Sequence, residues 1–245
     1  METFLKVQNL VKEYKNGFRA VDDVSFEVGA GEIFGLLGPN GAGKTTIIRA
    51  ISTILSFTNG KIEVLGKDNL RYAEEVRSNI GVLTTDIGAY ERFTGKENLQ
   101  YFGELYGLSS SDLDKRIKEL TELLDMGGFI DKKAAKYSTG MKQRLAIARS
   151  VIHDPKVIIF DEPTSGLDVL SSQTVRDFMS HARESGRAVI FSTHQMYDAE
   201  KLCDRVIIIH KGKEIAYDSV ENLKTQTGER DLEDVFLKLV KGEGV

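Results

Sequence analysis

The nine residues Gly38-Pro39-Asn40-Gly41-Ala42-Gly43-Lys44-Thr45-Thr46 constrain this chain more than any others. They follow the apolar run 33–37 and open a helix-like run over 47–55. Strand, glycine-rich turn and helix, in that order, is the setting a phosphate-binding loop requires. Gly41 and Gly43 lack side chains, so successive backbone N–H groups can turn inward around phosphate oxygens. A helix starting near Lys44 adds unpaired N–H groups and the positive end of its dipole. The Lys44 ammonium suits β- and γ-phosphates, and the Thr45 hydroxyl suits Mg²⁺. By average residue usage this pattern arises in roughly one chain in a hundred of such length, and the strand–helix setting makes chance rarer still. The loop predicts nucleotide binding.

At 245 residues the chain has room for one large domain with a subdomain. A net charge of −4 and a pI of about 5.7 argue against a nucleic-acid partner, which calls for a concentrated basic surface. Cys203 is the sole cysteine, so an internal disulfide is impossible and the thiol reads as core filler. The first six residues have neither a basic start nor a long apolar segment, so no signal peptide is expected. The longest apolar runs, such as 157–160 and 206–209, are strand-sized and predict no membrane span.

Alternating or continuous apolar runs predict strands at 4–10, 20–28, 33–37, 61–65, 80–83, 157–160, 188–192, 205–210 and 214–217. Helical spacing predicts helices at 95–106, 111–124, 141–153, 170–184 and 196–202. The alternation implies an α/β fold, a mainly parallel sheet with helices on both faces and an antiparallel β part. Right-handed crossovers then put the carboxyl ends of the strands on the rim that carries the phosphate loop. The strand-free block 90–140 reads as a helical subdomain inserted into a nucleotide-binding core formed by 1–89 and 141–217. The tail, 218–245, carries Leu232, Val235, Phe236, Leu239 and Val240 on one helical face, with Asp231 as a cap. Such a helix docks on its own domain first, with a partner contact as the alternative.

Asp161 ends a strand buried on both faces, at the phosphate rim, where a carboxylate can hold Mg²⁺ through water. Glu162 points the other way and can orient or deprotonate a water attacking the γ-phosphate. His194 ends another strand on that rim, within reach of the same phosphate.

With these residues in place the chain resembles the ATP-binding subunits of ABC transporters over nearly its whole length. The loop 38–45 matches the family's Walker A motif, 157–161 its Walker B strand, and Glu162 its catalytic glutamate. Ser165-Gly166-Leu167-Asp168 matches the D-loop, and His194 the switch histidine. Tyr14 stands where the family stacks an aromatic ring on adenine. Ser138-Thr139-Gly140-Met141-Lys142-Gln143 occupies the signature position, which in the family touches the γ-phosphate of ATP held by the opposing subunit. The resemblance therefore implies that Lys44, Glu162 and His194 are catalytic and that Thr45 and Asp161 hold Mg²⁺. It also implies that Tyr14, residues 38–46, Ser138, Gly140 and Asp168 bind ATP. The implied partners are a second ATPase subunit, a homodimer first of all, and a separately encoded membrane permease that would hold the chain at the cytoplasmic face.

Two positions depart from the family. Thr139 and Met141 replace a glycine and the glutamine of the usual signature. Thr85, followed by Asp86, stands where the family has a glutamine that contacts Mg²⁺ and the membrane partner. Stretches 31–38, 101–107, 147–155 and 232–239 are similar to the ATPases of ABC-2-type exporters, most of all those of bacterial sodium export. The expectation is an ATP hydrolase driving an exporter for sodium, or else for drugs, lipids or polysaccharides. A soluble ABC protein of translation or repair would carry two ATPase halves or a long coiled coil, which 245 residues do not. A regulatory module with impaired hydrolysis stays open because of Thr85. No Asn-Lys-x-Asp guanine motif occurs.

Overall fold

The structure is a computed structural model that describes residues 2–84 and 88–242. The chain opens with β1 (Thr3–Glu13), β2 (Arg19–Gly29) and β3 (Ile33–Leu37), then α1 (Lys44–Ile51). Next come β4 (Asn59–Val64), β5 (Lys67–Asp68), α2 (Ala73–Asn79) and β6 (Ile80–Leu83). A helical stretch follows, with α3 (Gly95–Leu105), α4 (Ser110–Leu123), a short 3-10 turn and α5 (Thr139–Ser150). After it come β7 (Val157–Asp161), α6 (Val169–Glu184), β8 (Ala188–Thr193) and α7 (Met196–Leu202). The chain closes with β9 (Arg205–His210), β10 (Lys213–Ser219), α8 (Val220–Thr227) and α9 (Leu232–Gly242).

Two sheets result. The larger runs β10-β9-β3-β8-β7-β6, parallel throughout except for β10. The smaller, β2-β1-β4-β5, is antiparallel. Every residue of β3, β7 and β8 is buried, as parallel strands covered on both sides must be. Successive side chains on a strand face opposite ways. Ile33, Ile158 and Val189 accordingly pack against α4, α5 and α6, while Phe34, Ile159 and Ile190 join α1 and the antiparallel sheet. Helices lie on both faces, as expected; on the second face α1 and Val76 of α2 share the core with the antiparallel sheet. A third cluster gathers Leu37, Val206 and Ile208 with Leu223, Leu232 and Val235, so α9 docks on its own chain. Asp231 caps that helix as expected, accepting the Asp234 N–H at 2.9 Å.

Several expected boundaries shift. The helix after the phosphate loop ends at Ile51 rather than continuing to residue 55, because Thr53 turns to φ 60°. Helices α2 and α8 and the two-residue β5 were not foreseen. α2 buries only Val76, and α8 only Val220 and Leu223, too few apolar positions to mark a helical face.

Candidate functional site

β3 delivers the chain to the carboxyl rim, and the loop that follows is shaped by contacts behind it. A Cβ on Gly38 (φ 153°) would stand 2.2 Å from the Ile209 carbonyl oxygen, and one on Gly43 (φ 114°) 2.5 Å from that of Ala20. Gly41 (φ 81°) meets nothing within 4 Å, so its contribution is backbone conformation alone. The crowded glycines of this loop are thus Gly38 and Gly43. The Ala42 carbonyl accepts the Gly212 N–H at 3.0 Å, from the turn between β9 and β10. In a trans peptide C=O and N–H point opposite ways, so this bond turns the Gly43 N–H away from that turn.

The sheet order brings the charged groups together, because β8 lies between β3 and β7. Lys44 Nζ donates to the carbonyls of Gly38 (2.6 Å) and Pro39 (3.2 Å) and stands 3.4 Å from Glu162 Oε1. Thr45 Oγ1 donates to Asp161 Oδ2 at 2.8 Å. Glu162 has a left-handed backbone (φ 51°), and its Oε2 lies 2.9 Å from His194 Nδ1. Its N–H donates to Ser192 Oγ at 3.0 Å, and the Ser192 hydroxyl in turn donates to Asp161 Oδ1. Lys44 and Asp161 are buried, while His194 is exposed.

Residues 39–46, Asp161, Glu162, Tyr14, Phe18 and Ala20 line one cleft of about 440 Å³. Tyr14 and Phe18 stack there, ring centroids 6.4 Å apart, and the Tyr14 N–H donates to the Phe18 carbonyl. Lys12 Nζ lies 5.0 Å from the centroid of the Tyr14 ring. Phe18 was not foreseen, although an exposed aromatic four residues after Tyr14 in the same turn is a readable signal. Gly38 and His194 line a neighbouring hollow with α7 and α9.

Ser138, Gly140 and Asp168 lie outside that cleft and close to one another. Ser138 caps α5 by accepting the Met141 N–H at 3.3 Å. Asp168 caps α6, accepting the Ser171 N–H at 2.9 Å and its hydroxyl at 2.7 Å. The Ser171 backbone and hydroxyl bonds hold the Asp168 carboxyl below its ordinary range. A Cβ on Gly140 would stand 2.3 Å from Ser171 Oγ, so α5 and α6 meet there closely. Gln143 Nε2 reaches the Pro163 carbonyl at 2.8 Å, linking α5 to the residue after Glu162. Thr85 and Asp86 lie outside the described residues.

The donor set suits a phosphate with its metal. A buried ammonium rests on loop carbonyls, and Thr45 and Asp161 offer two hard oxygens side by side, the ligand type Mg²⁺ prefers. A glycine-cornered phosphate loop on the carboxyl rim of a parallel sheet, followed by buried Asp161 and half-buried Glu162, defines a P-loop ATPase. The ABC transporter family's profile matches residues 21–165, and the chain belongs to that family. It is an ATP-binding subunit of the ABC type and an ATP hydrolase. The ABC transporter ATP-binding protein NatA of Bacillus subtilis (strain 168) is 41% identical over 244 residues, covering 99% of each chain. The daunorubicin resistance ATP-binding protein DrrA3 of Streptomyces coeruleorubidus is 37% identical, over 97% of this chain and 74% of that one. Among solved structures, an ATP-binding subunit of an ABC transporter superposes with a TM-score of 0.88 at 29% identity, covering 97% and 99% of the two chains.

Proposed function

We propose that this chain is the ATPase of an ABC exporter, that it works as a pair of subunits on a separate membrane permease, and that the cargo is sodium. The observation that carries the ATPase role is the convergence of Lys44, Thr45, Asp161 and Glu162 at one rim. Lys44 holds the β- and γ-phosphates, which compete for its ammonium with the carbonyls of Gly38 and Pro39. Thr45, and Asp161 through water, would hold Mg²⁺, which when bound would neutralise phosphate charge. Glu162 takes the proton of the attacking water, and His194 keeps its carboxylate oriented through Oε2. Tyr14, with Phe18 beside it, receives the adenine.

Pairing is supported by Val169 and Leu170, apolar and highly exposed at the start of α6, next to Asp168, Ser138 and Gly140. In a head-to-tail pair this corner closes over the partner's ATP, which gives those three residues their ligand in trans. The block 90–140 acts as the helical subdomain on the core 1–89 and 141–217. Its exposed aromatics, Tyr90, Phe93, Tyr101 and Tyr106, suit a protein contact and are the side offered to the permease. Among the described residues no helix is long and apolar enough to cross a membrane. The chain is then held at the cytoplasmic face by the permease.

Sodium rests on the resemblance of 31–38, 101–107, 147–155 and 232–239 to sodium-export ATPases; a drug is the second cargo, on the likeness to the daunorubicin resistance protein DrrA3. Expressed with its permease in sodium-sensitive cells, the protein should raise sodium tolerance, and Lys44→Ala should abolish the gain. Unchanged tolerance, with Lys44-dependent efflux of a drug instead, would overturn sodium and keep the exporter.

A further inference from the structure

β8 contributes more than His194 to this site. Ser192 stands opposite Asp161 in the parallel register of β7 and β8, and it is fully buried. Its hydroxyl meets two partners, the Asp161 Oδ1 and the N–H of Glu162 at 3.0 Å. An amide N–H can only donate, so the single hydroxyl proton goes to the carboxylate. Asp161 Oδ2 meanwhile accepts from Thr45, so the carboxylate is pinned at both oxygens and cannot rotate without losing a bond. Glu162 follows with φ 51°, a conformation that a residue with a Cβ adopts only when its surroundings hold it there. What holds it is Ser192 again, because the Glu162 N–H is shared between that hydroxyl and the Ser192 carbonyl at 3.2 Å. In this turn the Glu162 carboxylate lies between Lys44 and His194.

We propose that Ser192 is a positioning residue for both acidic groups of the site. It keeps Asp161 Oδ2 turned to Thr45, where the metal is held, and it fixes the backbone turn that aims Glu162. The proposal rests on the reading of Asp161 as a metal-holding group and Glu162 as the base. The phosphate loop has no bond to Ser192, so nucleotide binding without metal does not depend on it.

The test uses the full chain with Mn²⁺ as the probe and a non-hydrolysable ATP analogue, with bound metal followed by electron paramagnetic resonance. Ser192→Ala should weaken Mn²⁺ binding about tenfold, the effect of one lost hydrogen bond to a charged group. Its kcat should fall with little change in KM, and metal-free affinity for the analogue should stay at the parent value. Thr193→Ala removes an equally buried hydroxyl that serves the Gln195 N–H, and should leave Mn²⁺ binding unchanged. Asp161→Asn separates the two ideas. If it abolishes Mn²⁺ binding while Ser192→Ala binds the metal as the parent does, the positioning role is overturned and the metal site stands. If Asp161→Asn itself binds Mn²⁺ normally, the reading of Asp161 falls and the proposal with it. Ser192→Cys keeps the volume with a poorer donor and should lie between parent and alanine variant. Loss of the native thermal transition in both Ser192 variants would make Ser192 a packing residue and overturn the proposal.

Discussion

Gly38 and Gly41 sit in one loop with positive φ, yet their surroundings ask different things of them. An alanine at 41 meets only open space and should cost about 1–2 kcal/mol, the strain of a left-handed residue. An alanine at 38 would drive its Cβ into the Ile209 carbonyl, so β9 must move, at about 4 kcal/mol or more. Thermal unfolding of the two variants checks this; equal losses would contradict it. The five side chains that converge at the rim were legible in the sequence, because Lys44, Thr45, Asp161, Glu162 and His194 stand beside glycines or end apolar runs. Those that hold them in place were not. Ser192 inside a strand and Gly212 inside a turn carry no signature of their own, and their contacts cross from one strand or loop to another.

The helices divide in the same way. α4, with Leu113, Ile117 and Leu120 buried on one face, could be read at once, whereas α2 and α8 bury too little to show a period. The N-termini of α5 and α6 were legible as a motif but not as packing: Gly140 is where the two helices meet, against Ser171. Gly140→Ala should break the Ser171–Asp168 bond and cost about 1–3 kcal/mol as an overpacked contact. An isolated subunit should bind ATP as before, since the cleft lies elsewhere, while ATP-driven pairing should weaken. Calorimetric ATP titration alongside light scattering separates the two effects. Loss of ATP affinity in the monomeric variant would count against this division of the molecule.

At the scale of the whole chain, the pattern announced the parallel layer and an antiparallel part but not the strand order. That β8 runs between β3 and β7 is a long-range pairing with no local mark, and it is what sets His194 beside Glu162 and Ser192 beside Asp161. The antiparallel sheet joins α1 and α2 on one face, where β1, β2 and β4 turn their apolar sides to the parallel strands. It also carries Tyr14 and Phe18 to the cleft at the β1–β2 turn. Glu162 is proposed above as the base of an ATPase whose binding groups are separate from it. Single-turnover hydrolysis by Glu162→Gln, with ATP affinity measured on the same protein, tests this most directly. Hydrolysis should fall by roughly 10²-fold or more with ATP affinity held at the parent value. Turnover at the parent rate, or affinity lost together with hydrolysis, would contradict it.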